Sequence, residues 1–371
     1  MASTSDPLDL PALAAELAST VAGQVDFGAG ARAPVSVDMA TYKAEFFAHH
    51  YQGRLRPAAH YSMGWLPLLA RAATWAPRVV NALTHAPGID RAIKRAGGID
   101  SAREIPRFAP QGLRAWLRAR PAAPGGTPVL QWPDTFTNYL HPLVGRAAVQ
   151  VLEAAEFAVQ IPDRALCCGL TWISTGQLDI ARRVLARAVR GLEPAAGAGI
   201  PIMGLEPSCT AVFRHDLGQL YPDWPVAGQV ASATVTLAEL LRDHAPDWQP
   251  PPTDRRGLVQ THCHQHAVVG FDADLRVLLK AGVNAQRLDS GCCGLAGNFG
   301  VERGHHDVSI ACAERVLAPA IRNAPAETTV LADGFSCRTQ IQHTTGRHAL
   351  HLAELLALGL DPHDHHAEEH E

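Results

Sequence analysis

The chain has 371 residues, 47% hydrophobic and 18% charged, which is enough apolar side chain for two or three packed domains and rules out wholesale disorder. A net charge of −4 argues against non-specific nucleic-acid binding as the main role. No stretch reaches the ~20 unbroken apolar residues of a membrane span; the nearest, 64–83, carries Arg71 and Arg78. The N-terminus has no basic run followed by an apolar one, so the expectation is a cytoplasmic protein without a signal peptide.

In chain order, residues 1–33 are small and polar and read as a linker. Residues 34–125 have helical spacing broken at Pro57, Pro67, Pro77, Pro87 and Gly97–Gly98, so short helices joined by tight turns are expected. An internal repeat follows. Its first copy contains PVLQWPDTF, CCGL, EPSCTAVF and TLAELL; its second contains GLVQTHCHQ, CCGL, GFSCRTQI and HLAELL. Four blocks in the same order, with offsets of 125 at the Cys-Cys pair, 128 at the single Cys and 115 at the closing helix, argue against chance.

Each copy reads as βαβαβα. VLQW, FAVQI and IPIMGL alternate with RAAVQVLEAAE and LDIARRVLARAV in the first; LVQTH, NAQRL and TTVLA alternate with ADLRVLLKAG and HDVSIACAERVLAPAI in the second. Short strands alternating with helices imply parallel sheets with right-handed crossovers. The expected organisation is therefore α/β: a first unit over 126–250 and a second over 251–358, preceded by the helical segment and followed by a disordered tail over 359–371 that ends HDHHAEEHE.

None of the eight cysteines precedes residue 167. Adjacent Cys-Cys pairs in a long chain without an export signal suit a metal centre better than a disulfide framework. In the second copy Cys263, Cys292, Cys293 and Cys337 each sit just past a predicted strand, at the carboxyl edge where an open parallel sheet gathers its loops. Four thiolates there require a compensating cation, and soft sulfur ligands select zinc, Cu(I) or an iron–sulfur cluster. The first copy offers only Cys167, Cys168 and Cys209. Where the second has THCH it has WPDT, leaving Asp134 or a water as a fourth ligand, or a relic site. Cys312, mid-helix in SIACAERVL, is expected to pack as a small buried hydrophobe.

The doubled Cys-Cys-Gly blocks, LQWPDTFTNYLHP, THCHQHA, SGCCGLAGNFG and DGFSCRTQI resemble the cysteine-rich CCG-domain family of iron–sulfur oxidoreductases, over roughly residues 33–357. Together with PVSVDMATYKAEFFAHHYQGRLRPAAHYSMGWLP, they most resemble the C-terminal half of fused proteins that join a flavin-dependent 2-hydroxy-acid dehydrogenase to an iron–sulfur module. The resemblance implies two tandem CCG units, a [4Fe–4S] cluster at the second site, and a second cluster or zinc at the first. FAD would be carried only by a partner flavoprotein subunit, with electrons passing to a quinone or other acceptor. The chain itself would be cytoplasmic or peripheral on the cytoplasmic face of a membrane.

Departures from the family pattern bear on these expectations. Ala33 stands where the family's last ferredoxin-type cysteine would precede Pro34, so residues 1–33 resemble a degenerate ferredoxin remnant, and a truncated fusion protein would give the same sequence. Cys337 is followed by Arg338, Thr339 and Gln340 rather than by Cys-x-x-Cys, which favours a four-cysteine cluster over a non-cubane one. His264 is placed to hydrogen-bond a cluster sulfur, Arg338 to offset cluster charge or form a surface ion pair, and Asp134 to stand beside the first site. No G-x-G-x-x-G, Walker loop or G-x-S-x-G occurs, so no residue is assigned a catalytic acid–base or nucleophilic role. The rival expectation is a non-catalytic assembly module whose cysteines hold zinc or cycle as dithiols.

Overall fold

The computed structural model describes residues 38–120 and 125–360; the expected linker over 1–33 and most of the tail lie outside the described residues. The described residues from Met39 onward form one compact unit. Its first part is helical, with helices Met39–His50, Ala58–Ser62, Leu66–Ala73, Pro77–His85, Ile89–Gly97 and Leu113–Ala119. Pro67 and Pro77 fall in the first turns of their helices, where a missing N–H costs nothing.

Two four-stranded parallel sheets follow. The first contains β1 (Thr127–Gln131), β2 (Phe157–Gln160), β3 (Ile202–Gly204) and β4 (Thr234–Thr236) in the order β2-β1-β3-β4. The second contains β5 (Arg256–Val259), β6 (Asn284–Arg287), β7 (Thr329–Leu331) and β8 (Ala349–Leu350) in the order β6-β5-β7-β8. Matching strand order in the two copies is the structural form of the repeat. The fourth strands were not expected from the sequence; at three and two residues they are too short to display a period-2 pattern. The expected single helix over 306–321 is two, His306–Glu314 and Leu317–Asn323. Pro319 cannot donate to the Arg315 carbonyl and its ring clashes there, so the backbone breaks at Val316 (φ −145°).

The copies interlock reciprocally. The closing helix of the second, Leu352–Leu360, packs on Pro142–Ala154 of the first, and the closing helix of the first, Leu237–His244, packs on Asp272–Lys280 of the second. One hydrophobic core therefore spans both sheets, with Val129, Leu152, Met203 and Leu240 of one copy meeting Val259, Leu278, Leu331 and Leu356 of the other. The outer faces are covered separately, by Leu185, Val189 and Val230 on the first sheet and by Leu317 and Ile321 on the second.

Because the core is shared, Leu356→Ala is expected to cost about 2–5 kcal/mol through the cavity it leaves, and denaturant unfolding should show one transition for both copies. Separate transitions would contradict a shared core. His60 and His141 are both held near pKa 4, chiefly by burial. A neutral folded imidazole that protonates on unfolding contributes stability above about pH 6.5, which is lost as pH falls towards 4. The denaturant midpoint should drop across that window, and less steeply in His60→Phe.

Candidate metal centre

Parallel strands bring the cysteines of the second copy together by ending at one edge. Cys263 lies four residues past β5, Cys292 and Cys293 lie in the irregular loop after β6, and Cys337 is the third residue of the helix Phe335–Thr345 that follows β7. Cys292 lies near enough to Cys263 and Cys293, and Cys293 to Cys337, for each pair to act on the other's ionisation. Cys293 and Cys337 are 4% and 1% exposed, Cys263 is half-buried, and Cys292 opens to solvent. Four sulfurs separated by up to 74 positions in sequence thus share one site.

Their electrostatics are those of a crowded acid set. Hydrogen bonds from Cys263 and Cys293 hold the Cys292 thiol far below its ordinary range, and the Gly294 N–H donates to the same sulfur at 3.3 Å. The corresponding contacts with Cys292, together with burial, drive Cys263 and Cys293 up. Proximity thus favours a thiolate at Cys292 and thiols at Cys263 and Cys293, and holding all four as thiolates requires a cation in their midst. Gly294 is required for this geometry: its φ is +91°, and a Cβ there would lie 2.1 Å from the Ser309 carbonyl oxygen.

The first copy repeats the arrangement with one thiol fewer. Cys168 donates to Cys209 at 3.3 Å, and the Gly169 N–H donates to Cys167 at 3.4 Å, as Gly294 does to Cys292. A hydrogen bond from Cys168 lowers Cys209, but burial and the Asp134 and Glu206 carboxylates outweigh it and push the thiol up to about 12. Asp134, in the position of Cys263, caps the helix Thr135–Tyr139. One of its oxygens accepts the Phe136 and Thr137 N–H groups and the other the Thr137 hydroxyl. Burial, then Glu206, raises its carboxyl to about 6.

His264 Nδ1 lies 3.7 Å from the Cys263 sulfur, and its ring stacks on His262 at 5.2 Å between centroids. His262, which no spacing in the sequence singles out, is the more enclosed of the two at 3% exposed. Its Nδ1 lies 3.8 Å from the same sulfur and accepts the His264 N–H at 3.1 Å. Burial lowers this imidazole to about 4, so it stands neutral beside the thiols. The ligating atoms of His262, Cys263 and His264 lie within 4.8 Å of one another. Gln265 holds the segment from behind: its Oε1 accepts the His262 N–H at 2.9 Å and its Nε2 donates to Asp333 at 2.9 Å.

Arg338 is buried, so the surface ion pair is excluded. Its Nη1 donates to the carbonyls of Ala332 and Asp333 at the end of β7, and its charge acts on the Glu206 and Asp333 carboxyls. The cation facing Cys293 is Arg103, from the helical segment. Its Nε donates to the Gly300 carbonyl at 2.7 Å, Nη1 to Gln340 Oε1 at 2.8 Å and Nη2 to Ser309 Oγ at 2.7 Å, all buried. It therefore ties the loop carrying Cys292–Cys293 to the helix carrying Cys337. Glu206 links the copies, accepting the Phe335 N–H at 2.8 Å at the start of the Cys337 helix. No local motif marks Arg103 or Glu206; each acts on a helix more than a hundred residues away in sequence. Cys312 stays outside the set of four, half-buried behind the Gly294 turn.

Arg103→Ala should cost about 2–4 kcal/mol by stranding buried acceptors, measured by denaturant unfolding. Arg103→Lys should recover less than half, because an ammonium cannot fork across three partners. Equal stability of wild type and Arg103→Ala would contradict this role.

The sequence profile of the family described as "CCG: Cysteine-rich domain" matches residues 135–214, within the first copy. One of the subunits of the anaerobic glycerol-3-phosphate dehydrogenase of Escherichia coli K12 is 27% identical over 267 residues, covering 70% of this chain and 66% of that protein, just under two thirds. Lactate utilization protein A of Bacillus velezensis is 27% identical over 194 residues, 49% of this chain and 80% of that protein. D-2-hydroxyglutarate dehydrogenase of Pseudomonas putida KT2440 is 26% identical over 183 residues, 49% of this chain but only 17% of that protein. Residues 135–214 thus match the cysteine-rich CCG domain, and the second copy, with the same cysteine blocks and the same strand order, is similar to it.

Proposed function

We propose that this chain is an iron–sulfur electron-transfer module of a flavin-dependent 2-hydroxy-acid dehydrogenase, passing electrons from a partner flavoprotein to a quinone or comparable acceptor. The observation that carries the reading is the contact between Cys263, Cys292, Cys293 and Cys337 at one strand edge. Four soft thiolates suit a four-cysteine [4Fe–4S] cluster. Such a cluster, when bound, supplies one-electron uptake and release. The chain's own residues do the rest: the four cysteines hold it, the Gly294 N–H donates to Cys292, and Arg103 offsets negative charge beside Cys293. Burial of Cys293 and Cys337 excludes water from one side, while exposed Cys292 opens the other to a partner.

Cys167, Cys168 and Cys209 form a smaller set, suited to a second cluster or a zinc ion with a non-thiol fourth ligand. Support for the donor class comes from the relatives whose names specify lactate utilization and D-2-hydroxyglutarate, both 2-hydroxy acids. A zinc-bearing assembly module is the alternative, favoured by the nitrogen and sulfur donors of His262, Cys263 and His264.

Anaerobic reconstitution should load about four irons and four sulfides per complete site and give an EPR signal on reduction. Cys293→Ser should abolish the signal of the second site. Stoichiometric zinc without iron would overturn the redox reading in favour of the assembly module.

A further inference from the structure

Apolar exposure in this protein is concentrated in one place. Among the described residues, twelve of the fifteen large hydrophobic side chains left exposed fall within residues 39–89, with Leu55 at 90% and Trp75 at 92%. The other exposed apolar side chains are scattered singly, as is ordinary on a protein surface.

The pattern has a face. In the helix Leu66–Ala73, Ala70 and Ala73 turn inward, while Leu68, Leu69 and Ala72 turn out. In the helix Pro77–His85, Val80 is half-buried while Val79, Ala82 and Leu83 are exposed. The inner residues of both helices pack on one cluster with Phe108, Leu140 and Phe335, so their outer faces turn away from the same body. Trp75, in the joint between them, stands out from it.

Charge selects the occupant. Residues 46–89 contain no Asp or Glu in 44 positions, while Arg54, Arg56, Arg71 and Arg78 lie among them. With Arg103 and Arg114 buried, residues 39–120 still present eleven Lys or Arg against four Asp or Glu, in a chain whose overall net charge is −4. A protein interface of this size would ordinarily mix both signs. Apolar helix faces and a protruding Trp, with Arg71 and Arg78 exposed on the same two helices, match the headgroup boundary of an anionic bilayer. There the apolar tips enter the acyl region and the Arg side chains reach back to phosphate. No described helix is long and apolar enough to cross a membrane, so the contact lies in the plane of the surface.

We propose that the outer faces of Leu66–Ala73 and Pro77–His85, with Trp75 between them, dock this protein on a bilayer carrying anionic lipid headgroups. This goes beyond the redox reading and does not depend on it, because the apoprotein presents the same face. Phe335, in the cluster beneath that face, opens the helix that carries Cys337. Docking would therefore hold the cysteine set one helical layer from the lipid.

The test is flotation of the full chain with vesicles of phosphatidylglycerol and phosphatidylcholine, against vesicles of phosphatidylcholine alone. Binding to the anionic vesicles is expected, with about tenfold less on the neutral ones and weakening as salt is raised. The Leu68→Asp/Trp75→Asp double variant should bind at least about tenfold more weakly with an unchanged melting temperature. The Trp75 contribution, taken as wild-type minus Trp75→Phe fluorescence, should shift to the blue on anionic vesicles. The proposal is overturned by failure of the wild-type chain to float, by equal flotation of the folded double variant, or by an unshifted Trp75 signal. A vesicle-insensitive dimer that Leu68→Asp dissolves would also overturn it, assigning the face to a second copy of the chain.

Discussion

Mutual repulsion among thiolates is the constraint on which the rest of this structure depends. Cys263, Cys292, Cys293 and Cys337 are drawn from three segments to one edge, where Cys292 is held below its ordinary ionisation range while its neighbours Cys263 and Cys293 are driven up. A fold that packs acids this closely must either leave them protonated or supply positive charge. Arg103 brings one unit towards Cys293, and a metal centre would bring the remainder. The loops cannot relax apart, because Gly294 packs on Ser309 and Gln265 fastens the Cys263 segment to Asp333 at the end of β7.

Rigidity of that edge is distributed over the whole molecule. Glu206 of the first copy caps the helix bearing Cys337 of the second, and Arg103 of the helical segment bridges the other two cysteine-bearing elements. The exchange of closing helices puts both sheets on one core. Loss of a thiol from the first copy therefore need not loosen it: Asp134, at the position of Cys263, has become a helix cap whose burial is compensated by three hydrogen bonds.

The helical segment serves both copies as a clamp. Arg56 donates to the carbonyls of Thr175 and Gly176 beyond the Cys167–Cys168 pair, while the Asp100 N–H donates to the Val301 carbonyl and the Arg303 N–H to the Gly98 carbonyl, on either side of the bridge between Ile99 and Glu302 beyond Cys292–Cys293.

From its sequence alone this protein could be read as a doubled α/β unit with cysteines beyond the strand ends, because alternating short apolar runs and helical spacing are local signals and the CCGL blocks recur at nearly constant offset. Periodicity could not reveal β4 and β8, too short to carry it, or the break at Val316, where one proline competes with an otherwise helical pattern. The three-dimensional arrangement alone decided that His262 rather than His264 is the enclosed imidazole, that Arg103 rather than Arg338 faces the thiols, and that Glu206 joins the copies. Each of these depends on which side chain a fold turns inward, for Arg103 and Glu206 across more than a hundred residues of chain, and no local pattern of amino acids specifies that.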